Sequence, residues 1–418
     1  MSDRNLDPCS TPTGLLSVSE ARARIDALVQ PISATEQVPL FDGLNRVLAT
    51  SIKSRIDVPP YINSAMDGYA VQGDDLPTQG DTRLRVIGRA MAGQPFAGSV
   101  SRGQAVRIMT GAVMPDGADT VLMQEHVRRV DEDDIEIGGG HRPGENVRMA
   151  GEDIAAGDTV LNAGALLLPA EIGVLASLGV AEIEVRRRLR VAFFSTGDEL
   201  RSLGEPLEAG QIYDSNRYTL QGMLARLHVE TFDFGVVRDD REAIRTAFRK
   251  AANAADVVLT SGGVSVGEAD FVKQTLDELG QVDFWKIAMK PGKPLAVGKI
   301  DGALFFGLPG NPVSVMATFY QFVQPALQKM MGIALQPPLT LQVPCMVDLK
   351  KQPGRLEYQR GILRQSPQGE LRVTTTGGQG SHVLSSMIKS NCFIVLPAEC
   401  AGVRQGELVQ VQPFAGLV

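Results

Sequence analysis

Histidine, cysteine and the aromatic residues are scarce in this chain, and each scarcity excludes something. Only four histidines and four cysteines occur among 418 residues. The cysteines, Cys9, Cys345, Cys392 and Cys400, form no C-x-x-C pair, so a zinc site is not expected. A reduced, cytoplasmic setting fits that usage. Basic charge is not in excess either. A net charge of -7 argues against a protein that coats nucleic acid. It leaves room for a small anionic ligand, because a local lysine cluster outweighs a global negative charge. The N-terminus carries no apolar run of signal-peptide length, and no stretch is long enough to span a bilayer, so no membrane partner is expected. Aromatics make up 5% and charged residues 21%, with mean hydropathy near zero, an ordinary soluble globular profile. The length predicts roughly two to four domains.

Up to about residue 14 the chain is polar, with two prolines, and is expected to be disordered. Ser17-Val18-Ser19-Glu20 reads as a capping box opening a helix to about Val29, and Pro31 stops it. From about Arg55 the texture turns to short β-like runs, Leu84 to Ile87, Ala105 to Met109, Thr120 to Gln124 and Asp134 to Ile137. Helical texture resumes at Pro169-Ala170-Glu171, with Gly179 just past the end. Arg186-Arg187-Arg188 and Arg190 then open a new unit, either as an anion patch or as a solvated junction. Strands at Val191 to Phe194 and Thr231 to Val237 alternate with helices at about Asn216 to Leu227 and Arg241 to Ala254. Next come the apolar run Ala255 to Leu259, a helix from about Asp270 to Leu279, a strand Phe284 to Met289 and a long helix after Pro312. That alternation predicts a mostly parallel, doubly wound sheet. From about 334, Leu339 to Val343, Leu371 to Thr375, Cys392 to Leu396 and Glu407 to Val411 read as a small barrel or sandwich. The resulting division is 15–54, 55–150 (a β-rich insert), 151–186, 187–333 and 334–418, with the first and third pieces forming one domain.

In an open α/β sheet, ligands bind outside the carboxyl ends of the strands. The loops expected there are Ser195 to Glu199, Val237 to Asp240, Thr260-Ser261-Gly262-Gly263, Lys290-Pro291-Gly292-Lys293-Pro294 and Gly307 to Pro312. Each alone is a weak signal: Gly-Gly after a strand is often only a turn, and Asp239-Asp240 is also what a helix N-cap looks like. Together they place glycine-exposed backbone and carboxylates on one rim, the donors and acceptors that phosphates and an escorting magnesium ion require. Lys286, Lys290 and Lys293 supply the opposite charge. On a strand Phe284 to Lys290, Lys286 and Lys290 share a face roughly 13 Å apart. A central lysine there needs a partner; on an edge strand both would simply be solvated.

These segments together closely resemble the molybdopterin molybdenumtransferase family, the MoeA type that includes the gephyrin E domain. The matching pieces are Asn63 to Ala70, Ile108 to Gly111, Gly151 to Ile154, Phe194 to Leu200, Gly210 to Asn216, Ser261 to Asp270, Lys290 to Pro294, Gly307 to Pro312 and Gly380-Ser381-His382. They follow family order over nearly the whole chain. Tyr61-Ile62 and Leu295 are slight departures. The resemblance implies a homodimer of four-domain subunits: a helical linker domain, a β-rich inserted arm, a central molybdopterin-binding α/β domain and a C-terminal β-barrel. It places the residues matching Glu199, Asp239, Asp270, Lys286 and Lys290 in the active cleft, and those matching Asp67 and Thr110 in the site of the partner subunit. It assigns substrate contacts to Pro309, Pro312, Arg355, Arg360 and Ser381, beside Ser261, Gly262, Gly263 and Lys293.

The implied reaction inserts molybdate into adenylylated molybdopterin, releasing AMP. Molybdate, a dianion, needs cationic donors, for which Lys286 and Lys290 stand ready with Arg360 as a third candidate. The pyrophosphate needs backbone N–H groups and Mg²⁺, with Asp239 and Asp270 the expected metal ligands. Expected protein partners are a molybdopterin adenylyltransferase and apo-molybdoenzymes or their chaperones. Three rivals remain: the adenylyltransferase itself, a nucleotide-processing enzyme on the same domain, and a scaffold. No linker or appended domain precedes residue 15, so little scaffolding duty is expected.

Overall fold

The computed structural model of the chain describes residues 14–262 and 271–414. The expectations for Gly263, for Asp270 and for the residues ahead of 14 fall outside them. The chain divides into two compact units, one of Met1–Glu36 with Arg186–Val418 and one of Gln37–Val185.

In the first unit, Ser17 caps the helix Val18–Leu28 in the expected capping box, its hydroxyl accepting from the Glu20 amide. The centre of the unit is a six-stranded sheet. Its order is Glu230–Val237, Arg190–Thr196, Val257–Ser261, Ala303–Leu308, Pro294–Ile300, Gly280–Lys286. All neighbours are parallel except at Pro294–Ile300, which runs antiparallel to both of its partners. The expected parallel sheet is therefore present, with an antiparallel strand that the sequence reading missed. Ser215–Arg226, Arg241–Ala254, Phe271–Leu279 and a long helical run from Pro312 complete the alternation. Phe194, Phe248 and Phe305 meet edge to face at 5.1 and 5.5 Å in the core between sheet and helix.

Two helix starts explain the Asp-rich loops. Asp214 caps Ser215–Arg226, and Asp240 caps Arg241–Ala254 by accepting from the Ala243 amide. Asp240 is thus the cap, and its neighbour Asp239 is left for other work. The arginine run is a structural junction: Arg187 holds Asp256 through two bonds of 2.7 Å, and the Arg190 amide donates to the same carboxylate.

The expected single strand from Phe284 to Met289 is corrected. The sheet strand ends at Lys286, on the edge of the sheet. The backbone at Ile287 and Ala288 then turns to Lys293 and Leu16, and Met289–Lys290 pairs in parallel with Leu356–Glu357. Lys286 and Lys290 therefore lie on two different strands, and no common face joins them. Lys286 pairs with Pro294 in the central sheet and Lys290 with Glu357 in the C-terminal sheet, so their ladders belong to different sheets.

The long helix after Pro312 carries a π-helical stretch, Phe319–Val323. Pro325 lacks the N–H that would reach the Gln321 carbonyl. That carbonyl accepts instead from Arg22 Nε at 3.1 Å, tying the first helix to this one. Beyond it, a C-terminal sheet runs Met289–Lys290, Leu356–Gln365, Cys392–Leu396, Leu408–Pro413, Leu341–Pro344, with Leu371–Thr375 also on Leu356–Gln365. Leu356–Gln365, its longest strand, was missed in the sequence because polar Glu357, Gln359 and Arg360 are buried there among apolar neighbours.

The second unit holds a six-stranded sheet, ordered Thr120–Met123, Gly68–Val71, Gln104–Ile108, Thr82–Ala90, Asp134–Ile137, Val127–Arg129. The four short runs expected between 55 and 150 are all strands of it. Apolar side chains cover both of its faces. The helix Pro169–Ser177 starts on Pro169 as expected, and Gly179 follows with φ +72°.

Candidate active-site cleft

A cleft of about 750 Å³ opens at the carboxyl ends of the central strands, within the first unit. Thr196, Gly197 and Glu199 line one side with Asp239 and Gly262. Met289 to Pro294 line the other, with Pro309, Gly310 and Asn311 between them and Arg355, Gln379, Gly380 and Ser381 closing the rim. Carboxylates thus face ammonium groups across one space. A second cavity of about 670 Å³, walled by the first helix and by residues around Pro325 and Pro337, has no such convergence; its Lys329 and Asp26 pair with each other.

Glycine is required where the backbone turns under the cleft. Gly262 has φ +93°, and a Cβ there would sit 2.6 Å from the Thr196 carbonyl oxygen. Gly292 has φ +100°, and a Cβ would meet Met289 Cε and Thr318 Oγ1, both at 2.6 Å. The Lys-Pro-Gly-Lys-Pro loop is thereby pressed onto the Pro312–Thr318 helix, with Lys290 and Lys293 held at the cleft. Ser261 lies buried beneath, its hydroxyl accepting from Asn216 Nδ2 at 2.8 Å, and Asn216 also donates to the Gly310 carbonyl. Asn216, on the helix Ser215–Arg226, therefore joins two of the site loops. Its signal in the sequence was its place inside the Gly210 to Asn216 motif.

Partial desolvation, then the charges of Asp198 and Glu199, push the Asp239 carboxyl up from its ordinary value. Its backbone amide donates to Asp198 Oδ1 at 3.2 Å. Two lining carboxylates, Glu199 and Asp239, with the charge of Asp198 nearby and the Thr196 hydroxyl buried there without a protein partner, make a setting that a cation relieves. Among the described residues, no three His, Cys, Asp or Glu side chains converge to hold a metal ion by themselves. Magnesium commonly takes only one or two carboxylates and completes its shell with water and substrate phosphates, so Asp239 fits that role.

The other expected residues fall into three groups. Lys286 ends an edge strand, exposed, and does not line the cleft. Pro312 is the first residue of its helix and lies just behind the lining residues Asn311 and Ser314. Arg360 is 1% exposed and lies behind the rim. It donates from Nε to Ser386 Oγ at 3.0 Å and from Nη2 to the Gly380 carbonyl at 3.1 Å, so it braces the segment that presents Ser381. Burial pushes its guanidinium down to about 10, the charge of Glu357 acting the other way. Asp67 and Thr110 belong to the second unit and bind each other, the Thr110 amide and hydroxyl donating to Asp67 Oδ1 at 2.8 and 2.7 Å. Those two bonds, the amide first, hold the Asp67 carboxyl below its ordinary value. Tyr61, Ile62, Met66 and Met149 of the same unit expose apolar side chains.

The fold and this cleft define a multidomain α/β protein with a cleft lined by carboxylates and lysines on a doubly wound sheet. The comparisons agree along the whole chain. Residues 16–179 match the MoeA N-terminal region (domain I and II), 192–329 a probable molybdopterin binding domain, and 342–414 the MoeA C-terminal region (domain IV). The chain is 47% identical to a molybdopterin molybdenumtransferase of Haemophilus influenzae, over 97% of this chain and all of that one. It is 39% identical to another of that name from Nostoc sp., over 90% and 88%. A crystal structure of the molybdopterin biosynthesis moeA protein from Pyrococcus horikoshii matches with a TM-score of 0.83 and 32% identity, covering 96% of this chain and 100% of that one. The chain belongs to the molybdopterin molybdenumtransferase family, transferases of molybdenum cofactor biosynthesis.

Proposed function

We propose that this chain inserts molybdate into adenylylated molybdopterin and releases AMP. The observation that carries the reading is the two-sided cleft, with Asp239 and Glu199 facing Lys290 and Lys293, in a chain of this family. The turn at Gly262 lets the substrate pyrophosphate approach the backbone closely. Lys290 and Lys293 attract molybdate and then offset the negative charge that develops as the bridge to AMP breaks. Asp239 and Asp270 would hold magnesium, which when bound neutralises pyrophosphate oxygens. Glu199 is the carboxylate we assign to orienting the attacking water. Arg355 and Ser381 at the rim contact the substrate, and Arg360 holds their wall.

We further propose a homodimer in which Asp67 and Thr110 complete the partner's cleft. The exposed Tyr61, Ile62, Met66 and Met149 beside them support that reading, since apolar side chains so grouped favour burial against protein. The C-terminal sheet is read as a barrel on the bridge between Cys345 and Val373, which joins its outer strands. The activity is tested with purified protein, adenylylated molybdopterin and Mg²⁺, following AMP with and without molybdate. Molybdate-dependent release supports the transferase; formation of the adenylylated compound from ATP in its place points to the adenylyltransferase.

A further inference from the structure

Glu357 does not line the cleft, yet its carboxylate is among the most enclosed of the described residues of the first unit. Its side chain is 6% exposed, and its Oε1 accepts from Lys290 Nζ at 3.0 Å. Its Oε2 accepts from Gln359 Nε2 at 3.1 Å, and the same nitrogen donates to the Lys350 carbonyl at 3.2 Å. The ammonium of Lys351, which also feels the charge of Glu357, is engaged elsewhere: its Nζ donates to the carbonyls of Gln352, Ala398 and Cys400. The backbones agree with the side chains, because Lys290 and Glu357 are register partners in the parallel pairing.

Lys290, by contrast, is 47% exposed and lines the cleft. An ammonium has three donors. Glu357 takes one and leaves two for an anion. A lysine otherwise carries about 2 kcal/mol of rotamer freedom, so an unanchored Lys290 would spend most of its time away from the productive position. A buried carboxylate on a locked backbone removes that freedom before the substrate arrives.

We propose that Glu357, held by Gln359, is a positioning residue that aims Lys290 at the oxyanion the cleft receives. The proposal rests on the transferase reading for the identity of that anion, molybdate. It makes the C-terminal sheet part of the site's anion selectivity through a residue that itself touches no substrate.

The test compares Glu357→Gln, which keeps size and removes charge, with Glu357→Asp and with Lys290→Ala. In the AMP-release assay, Glu357→Gln is expected to raise the KM for molybdate about tenfold or more, the scale of one charge-assisted hydrogen bond, with the KM for adenylylated molybdopterin within about twofold. Glu357→Asp, which retains the charge, is expected to recover part of that loss. In the Lys290→Ala background, Glu357→Gln is expected to add nothing further. A merely structural role would lower the active fraction, hence kcat, and leave both KM values in place; a molybdate KM within twofold of the parent overturns the proposal. Equilibrium dialysis of molybdate against the same proteins reads the inference separately from turnover. Unchanged affinity in Glu357→Gln overturns the inference, whereas a parent that binds molybdate tighter than the variant but releases no AMP overturns only the transferase reading.

Discussion

Asp239 and Asp67 show two carboxylates driven in opposite directions by their surroundings. Asp239 is raised, by desolvation first and then by Asp198 and Glu199. Its contribution to stability is therefore full below the ordinary aspartate range and is lost as pH rises through the raised value. In metal-free protein at neutral pH, Asp239→Asn should consequently raise the Tm slightly, while abolishing both the stabilisation by added Mg²⁺ and most of the AMP release. A variant that melts lower than the parent without metal would contradict this account of the wall. Asp67 is depressed, chiefly by the Thr110 amide and then by its hydroxyl. Whatever it stabilises is present above the ordinary aspartate value and lost as pH falls through the lowered one. Thr110→Val removes the hydroxyl and keeps the amide. The Asp67 pKa followed by carboxyl NMR should move part of the way back to its ordinary value; an unmoved titration would mean that the hydroxyl bond is absent in solution.

At the scale of elements, the site depends on two loops whose geometry only glycine tolerates and on a helix whose proline frees a carbonyl. Gly292→Ala would place a Cβ against Met289 and Thr318 at positive φ. We expect a loss of about 1–2 kcal/mol or more in chemical denaturation, with reduced activity because Lys290 and Lys293 flank the strained position. Arg22→Ala leaves the Gln321 carbonyl without its donor beside Pro325, and should lower stability by about 1–3 kcal/mol with the substrate KM values unchanged. These elements were unequally legible in sequence. The helix Arg241–Ala254 and the strands Asp134–Ile137 and Cys392–Leu396 follow from amphipathic or apolar patterning and from their caps. The pairing of Met289–Lys290 with Leu356–Glu357 was not legible, since a ladder between residues so far apart leaves no local pattern. Leu356–Gln365 was hidden because buried polar Glu357, Gln359 and Arg360 break its apolar pattern.

At the scale of the whole molecule, the alternation of strand and helix gave the sheet, and the rule of carboxyl-end loops gave the cleft. Glu199, Asp239, Lys290, Lys293 and Ser381, dispersed over some 180 residues of sequence, line one space. Lys286 and Arg360 do not line it, because a strand end and a buried brace look the same in sequence as a cationic ligand. No helix among the described residues is long and apolar enough to cross a membrane. The chemistry we propose for these features is exchange of AMP for molybdenum on one pterin. The most direct measurement is the stoichiometry of a single turnover: adenylylated molybdopterin, molybdate and Mg²⁺ are mixed with purified protein, and released AMP is compared with molybdenum retained on the pterin. The account predicts equal amounts, with AMP release falling sharply when molybdate is left out. AMP released at the same rate without molybdate, or no molybdenum on the pterin product, would contradict it.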